Sequence, residues 1–250
     1  MNNKIKKLLA FLISFVFITI LSFTPFLQKE ILSIHWGDIR TKMVEAGVID
    51  EGKFKIPYDK DIIITKENSG MMLNMLWAFG LGNKNPILEN GPMMDSRYGG
   101  VSNFASTGGW DLSRGNSMMH YNMHSFITLT FEQQVLVERV AKNIYRPCCD
   151  NPTYFPDCNH GMAMLGLLEL MASQRASETD MYKTALEVNI LWFPSQYETI
   201  KTFVISQGTD WNTINPKEIL GAEYSSASGY KKILSQMKPQ EQKSGTSCGI

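Results

Sequence analysis

The chain has 250 residues, of which 44% are hydrophobic and 19% are charged, a composition typical of a globular protein rather than a disordered one. Its 24 basic and 24 acidic residues give a net charge of zero. This balance argues against nucleic acid as a partner, because phosphate binding needs a basic excess. Four cysteines are too few for a disulfide-built scaffold of this length.

The N-terminus predicts a membrane anchor. Lys4, Lys6 and Lys7 precede an uncharged apolar run at residues 8–27, which is long enough to cross the roughly 30 Å hydrocarbon core as a helix. Basic residues stay on the cytoplasmic side, so the rest of the chain is expected outside. We predict a signal anchor at residues 1–30, a single span in the cell membrane, with the bulk of the chain extracytoplasmic. The alternatives are a cleaved signal peptide and a buried core helix.

Residues 31–127 are expected to form the less regular part of the chain. Apolar residues at helical spacing predict a short helix at residues 39–46 and a buried helix at residues 69–81, and residues 61–65 are typical of a short strand. Residues 82–117 are rich in Gly, Asn, Ser and Pro, which predicts a long irregular insertion.

Residues 128–238 predict a helical domain that carries cysteines and a histidine. Thr130 and Gln133 have the spacing of a capping box. The predicted helices occupy residues 131–144, 160–174, 177–192, 195–208, 216–220 and 228–237. Residues 160–174 are apolar on nearly all sides, which predicts a central buried helix, and residues 239–250 predict a flexible tail. The expected fold class is all-α, a helical bundle with a Gly/Asn-rich irregular insertion, preceded by one transmembrane helix.

Residues 145–164, with the sequence YRPCCDNPTYFPDCNHGMAM, are the most informative segment. They bring Cys148, Cys149, Cys158 and His160 close together in the chain, between two predicted helices. Three thiols and one imidazole are a sufficient ligand set for a tetrahedral metal ion. Soft thiolate ligands also suit copper, or an iron–sulfur cluster as a less favoured cofactor. We therefore predict a site for copper or zinc, supplied by a metal-donor partner protein.

The same residues leave two other functions open. A thiol–disulfide oxidoreductase would use Cys149 and Cys158 as catalytic residues and act on a protein thiol, with Cys148 or Cys248 as the resolving thiol. Alternatively, a disulfide would only staple the loop, for which a chain-entropy estimate gives roughly 2.5–3 kcal/mol. Whether the chain is an enzyme is therefore open.

A second cluster lies at residues 117–125. Met119 and Met123 are four residues apart, as are His120 and His124, so each pair would share a face if this stretch were helical. Thioether and imidazole ligands suit copper. These four residues and Cys248 are secondary metal candidates. The alternative is that the methionines fill a core and the histidines form a surface pair.

Three resemblances accompany these motifs. Cys149 and Cys158, with Phe155 and Pro156 before the latter, resemble the CDGSH iron–sulfur family, which implies a [2Fe-2S] cluster held by three cysteines and His160. A cysteine pair before a helix, followed by a Ser/Glu-capped break and another helix, is similar in layout to cytochrome c maturation thiol proteins and implies thiol exchange. The stretch YRPCC…FPDCNHGMAMLG most resembles a family of exported or membrane-anchored bacterial proteins, which implies a location and no activity.

Overall fold

A computed structural model describes residues 34–55, 61–108 and 111–237, and the predicted all-α class is confirmed for them. The α-helices are α1 (Ile39–Glu45), α2 (Ser69–Gly82), α3 (Pro86–Asn90), α4 (Ala105–Gly108), α5 (Phe131–Ala141), α6 (Asn159–Ser173), α7 (Glu178–Trp192), α8 (Pro194–Ser206), α9 (Pro216–Ile219), α10 (Ala222–Ser225) and α11 (Ala227–Gln236). Strands β1 (Ile34–His35) and β2 (Asp61–Ile62) form one short antiparallel pair. Single 3₁₀ turns lie at Pro92–Met94, Ser96–Tyr98, Val101–Asn103, Ser117–Met119 and Trp211–Thr213.

Two predicted segments lie outside the described residues. They are the signal anchor at residues 1–30 and the flexible tail at residues 239–250. Within the part of the chain that the structure describes, no helix is both long enough and apolar enough to cross a bilayer.

Helix α6 occupies the centre of the bundle, as its apolar sequence predicts. Every residue from Gly161 to Ala172 is buried, and α2 forms the largest helix–helix interface with it. Two glycines allow the backbones to approach closely. A Cβ on Gly80 would lie 2.4 Å from the carbonyl oxygen of Met162, and a Cβ on Gly166 would lie 2.5 Å from that of Leu76. Because real Cβ atoms do not come so near a carbonyl oxygen, a larger residue at either position would force α2 and α6 apart.

One buried carboxyl group ties α6 to the end of α2. Glu169 is 0% exposed, and its two oxygens accept hydrogen bonds from the Nδ2 atoms of Asn83 and Asn85, each at 2.7 Å. Burial raises the pKa of Glu169 well above its ordinary value, although the two amides oppose this shift. The same asparagines also accept from the backbone N–H groups of Ile127 and Ile87. This network fixes where the chain leaves α2 and begins α3.

The Gly/Asn-rich insertion is more ordered than its composition predicts. Between residues 82 and 117 the described chain forms α3, α4 and a series of 3₁₀ turns. The side-chain oxygens of three polar residues accept hydrogen bonds from backbone N–H groups at the starts of these turns. Asn85 Oδ1 accepts from Ile87, and Asp95 Oδ1 accepts from Arg97. Asn116 Oδ1 accepts from Met118. Asn and Asp residues therefore act here as caps of short helical turns, a role that composition alone does not separate from a loop.

The helix starts were predicted with mixed success. The capping box on α5 is confirmed, since Thr130 and Gln133 each bond the other's backbone N–H group. The start predicted at Ser195 is wrong, because α8 begins at Pro194 without a side-chain cap. Proline suits the first helical position, where its missing N–H would have no partner.

Candidate metal centre

The cysteine-bearing loop between α5 and α6 is held by backbone hydrogen bonds. The N–H of Tyr145 donates to Leu220 O at 2.8 Å, and the N–H of Thr153 donates to Ile144 O at 2.8 Å. The carbonyl oxygen of Cys149 accepts from the N–H of Ala227 at 3.0 Å, at the start of α11. These bonds fix the loop on both sides of the vicinal cysteines, so their sulfur positions are set by the folded domain.

The three cysteines of the motif meet at one point. The Sγ atoms of Cys148 and Cys158 are 3.6 Å apart, those of Cys149 and Cys158 are 3.8 Å apart, and those of Cys148 and Cys149 are 3.9 Å apart. Each pair is well beyond the roughly 2.05 Å of an S–S bond, and all three thiols are free. Cys148 is exposed and the other two are half-buried, so the cluster can be reached from solvent.

These separations match one face of a tetrahedral site. A metal ion that binds thiolates at about 2.3 Å requires sulfurs about 3.8 Å apart in tetrahedral geometry and about 4.0 Å apart in a trigonal plane. The three observed distances lie around the tetrahedral value. An iron–sulfur cluster distributes its cysteines over several irons, whereas these three sulfurs surround a single point. The arrangement therefore suits one mononuclear ion.

Arg146 lies completely buried next to the sulfurs. Its Nη2 atom donates to Cys149 Sγ at 3.1 Å and lies 3.4 Å from Asp157 Oδ1, and its Nη1 atom donates to Thr153 Oγ1 at 3.2 Å. The Nε atom has no partner among the described residues. Gly161 makes room for the guanidinium, since a Cβ there would lie 2.8 Å from Nη2. A buried cation is stable only beside negative charge, which the Asp157 carboxylate supplies in part and thiolates of the cluster would supply further.

Cys158 is also the N-cap of α6. Its Sγ atom accepts from the N–H of Gly161 at 3.4 Å, at the positive end of the helix dipole. The pKa of Cys158 is lowered, chiefly because the thiols of Cys148 and Cys149 donate hydrogen bonds to it and because Arg146 is near. The pKa of Cys148 is raised, since its bonds to Cys149 and Cys158 favour its protonated form. Among the three thiols, the surroundings of Cys158 therefore favour the thiolate form most.

His160 lies beside this group rather than in it. Its ring packs against Trp192 and Phe193, with centroid distances of 5.7 Å and 4.5 Å. The three sulfurs lie within 4.8 Å of one another, and no ring nitrogen of His160 joins that set. The imidazole nevertheless helps to lower the pKa of Cys158. Its role as a fourth ligand stays a prediction.

The Met/His segment is not the helix that its spacing suggested. A 3₁₀ turn covers Ser117–Met119, and the chain then turns instead of continuing as a helix. His120 and His124 still meet, with Nδ1 of the first 3.1 Å from Nε2 of the second. Met119 and Met123 are exposed, which does not fit a role as core fillers. Cys248 lies outside the described residues.

Sequence reasoning overlooked two charged residues that are buried in the fold. Arg146 immediately precedes Pro147 and the cysteine pair, so its position in the motif was a signal that could have been used. Glu169 is the one carboxylate in an otherwise apolar helix, and such a residue needs a partner once it is buried. Comparisons with protein-family models, with curated proteins and with solved structures found no match to this chain.

Proposed function

We propose that this chain is a binding module for one transition-metal ion, held by the thiolates of Cys148, Cys149 and Cys158. The observation that carries the proposal is the triangle of sulfurs with tetrahedral separations beside a fully buried guanidinium. Asp157 is one partner of this guanidinium, whose shorter contact, to Cys149 Sγ, is strongest when the cluster carries thiolates. With a metal ion, Arg146 becomes an outer partner that balances the charge of the ligands.

Zinc fits this site better than copper. The sulfur separations favour the four-coordinate geometry that Zn²⁺ prefers over a trigonal plane. A divalent ion with three thiolates carries one negative charge and a monovalent ion two, so with Arg146 and Asp157 counted together zinc leaves less uncompensated negative charge. The fourth position belongs to His160 after a small ring movement, or to water or a partner's ligand on the exposed side of Cys148.

The location of the module is part of the proposal. The basic and apolar N-terminus supports a membrane anchor at residues 1–30, with the metal-binding domain on the extracytoplasmic side. A metal-donor protein would then load the site from the side of Cys148, the most exposed of the three thiols.

A second candidate function is thiol–disulfide exchange, and one observation favours it. Cys158 lies at a helix N-terminus beside Arg146, and its pKa is lowered there. Such an environment favours a reactive thiolate. Cys149 or Cys148 would then form the disulfide with Cys158. The two functions differ in what the resting protein contains: a metal ion and reduced thiols, or a disulfide and no metal.

The deciding experiment measures metal and thiols on one sample. The full-length chain is purified without chelator or affinity-tag metal, its metal content is determined by elemental mass spectrometry, and its free thiols are counted under denaturing conditions. We expect one zinc ion per chain with the three cluster thiols reduced. Cys149→Ser should weaken zinc binding by about 100-fold or more, because a structural zinc site contributes roughly 10–16 kcal/mol over four ligands.

Cys248→Ser is the matched control, since Cys248 lies outside the motif, and it should leave zinc affinity unchanged. A metal-free protein with Cys158 oxidised would contradict the metal proposal and favour exchange chemistry. In that case the reduction potential would separate a labile disulfide from a structural one.

A further inference from the structure

A second group of metal-ligating side chains lies apart from the thiol cluster. Nδ1 of His120 and Nε2 of His124 face each other at 3.1 Å, and the two rings are stacked at a centroid distance of 5.3 Å. The other face of His124 stacks on Phe126 at 5.0 Å. The two rings are therefore held with one nitrogen of each pointing at the other.

The backbone that carries these rings is fixed to the C-terminal end of α2. The N–H of His124 donates to Gly82 O at 2.9 Å, and its carbonyl oxygen accepts from the N–H of Lys84 at 2.7 Å. The N–H of Asn122 donates to Leu81 O at 2.8 Å, and Asn122 has a positive φ of 56°. Because the main chain is pinned on both sides, little conformational entropy remains to be lost when a ligand binds.

The tautomer of His120 follows from its second contact. Its Nε2 atom lies 3.3 Å from the carbonyl oxygen of Arg114, and a carbonyl can only accept, so Nε2 carries the proton. The lone pair of Nδ1 therefore points at His124. A histidine whose other nitrogen donates to a backbone carbonyl is the usual arrangement of a metal ligand, because this bond fixes the ring and increases its basicity.

The protonation of His124 follows from that of His120, because Nδ1 of His120 can only accept. In the free protein, His124 Nε2–H donates to His120 Nδ1. When a metal ion takes the place of that proton, the proton moves to Nδ1 of His124, and both facing nitrogens are free to bind.

We propose that His120 and His124 form a second metal site, selective for Cu(I), completed by the thioethers of Met119 and Met123. Two nitrogens 3.1 Å apart, with bonds of about 2.0–2.1 Å, subtend an angle of about 100° at a metal beside the N–N line, so each ring turns by about 40° from its hydrogen-bonded orientation to bind it. Such an angle leaves room for further ligands. Each histidine directly follows an exposed methionine, with Met119 70% exposed and Met123 59% exposed.

Charge and softness select the ion. Lys84 places positive charge near the pair, which disfavours a divalent ion more than a monovalent one. Thioether ligands prefer Cu(I) to zinc, magnesium or calcium. This site uses none of the cysteines, so it does not depend on the function proposed for them.

Cu(I) titration of the full-length chain tests the proposal. Binding is measured anaerobically in competition with a chromophoric Cu(I) chelator, for the natural chain and for Cys148→Ser/Cys149→Ser/Cys158→Ser, which removes the thiol cluster. We expect the cysteine variant to keep one Cu(I) per chain and the further change His120→Ala/His124→Ala to abolish it. Met119→Leu/Met123→Leu should weaken Cu(I) binding by about 10- to 100-fold, comparable with the loss of supporting groups at other metal sites.

The controls are a histidine and a methionine outside the pair. His35→Ala and Met94→Leu change exposed residues elsewhere and should leave Cu(I) binding unchanged. If the cysteine variant does not fold, the natural chain gives the same answer, because the His120→Ala/His124→Ala change should lower its Cu(I) stoichiometry by one. Unchanged stoichiometry and affinity after the histidine change would refute the site. X-ray absorption of the Cu(I) form of the cysteine variant should show mixed nitrogen and sulfur ligation, and nitrogen ligation alone would remove the methionines from the proposal.

Discussion

A buried ionisable residue lies at each end of helix α6, Glu169 within the helix and Arg146 in the loop before it, and their surroundings differ. Near the C-terminal end, Glu169 accepts two hydrogen bonds of 2.7 Å from Asn83 and Asn85. At the N-terminal end, Arg146 makes longer contacts of 3.1–3.4 Å, and its Nε atom finds no partner in the described part of the chain. The closest of these contacts is to a cysteine sulfur, a weak acceptor when protonated.

This difference separates a structural group from a binding group. Both oxygens of Glu169 are satisfied within the fold, so nothing further is needed there. Arg146 has one carboxylate partner, Asp157 at 3.4 Å, and its contact to Cys149 Sγ strengthens when the neighbouring sulfurs carry charge, which a bound metal ion makes permanent. A buried polar network in which every group has a hydrogen-bond partner stabilises a fold. A network that leaves a group such as Arg146 Nε without a partner, next to possible metal ligands, indicates a binding site. Three variants test this distinction, each directed at one end of α6.

Glu169→Ala should have the largest effect on stability. It leaves the amide groups of Asn83 and Asn85 buried without their acceptor, which we expect to cost about 2–4 kcal/mol of unfolding free energy. The zinc content of the protein that remains folded should be unchanged, because the thiols lie at the other end of the helix. Chemical denaturation and metal analysis measure the two quantities.

Glu89→Ala is the control for this loss of a carboxyl group. Glu89 is exposed in the neighbouring α3, and its replacement should change the unfolding free energy by no more than about 0.5 kcal/mol. A fall in zinc affinity for Glu169→Ala would contradict this distinction, because it would show that the C-terminal end of α6 also affects zinc binding.

Arg146→Met should change zinc affinity more than stability, whereas Glu169→Ala should change stability and not zinc content. Removal of the outer charge partner should weaken zinc binding by about 10- to 100-fold. The metal-free protein should lose less stability than Glu169→Ala does, because the abandoned partner, Asp157, is 20% exposed and keeps its hydrogen bond from Asn151. Zinc competition titrations and denaturation of the metal-free protein provide the comparison.

Arg139→Met is the matched control, since Arg139 pairs with Glu178 on the exposed side of α5. It should leave zinc affinity unchanged. If Arg146→Met binds zinc as tightly as the natural chain does, the buried guanidinium has only a packing role and does not support the metal site.

The sequence predicted α6 and the cysteine cluster well for a physical reason. The run at residues 160–174 is apolar on nearly all sides and too short to span a bilayer, which predicts a buried helix, and the helix is found at Asn159–Ser173. Cysteines in one stiff loop can hardly lie far apart, so the meeting of Cys148, Cys149 and Cys158 was within reach of sequence reasoning.

The other parts depend on contacts between residues distant in sequence. His120 and His124 meet through a turn that is bonded to the end of α2, not through the helix that their spacing suggested. Arg146 is buried because Gly161 leaves space for it on α6. Glu169 finds its amide partners beyond the end of α2. No local pattern encodes these partners, which is why hydrophobic periodicity located the helices but not the charged groups between them.

Gly161→Ala is the mildest of the three changes and tests the space that Arg146 occupies. Alanine is the better helix former by up to about 1 kcal/mol, but its Cβ would lie 2.8–2.9 Å from the guanidinium and 3.1 Å from Pro156 Cα. Because the rigid loop at Pro156 cannot yield easily, we expect a net loss of about 1 kcal/mol of stability and a smaller fall in zinc affinity than Arg146→Met causes.

Gly70→Ala supplies the comparison for this change. Gly70 lies in the first turn of α2, where a new Cβ meets nothing within 4 Å, so the helix propensity of alanine should act unopposed and stability should rise or stay the same. Thermal unfolding of both variants, with and without zinc, measures the contrast. If Gly161→Ala is as stable as Gly70→Ala and binds zinc equally well, Arg146 can move away at no cost. The guanidinium would then not be fixed beside the thiolates, and the main evidence for a metal site at the N-terminal end of α6 would be removed.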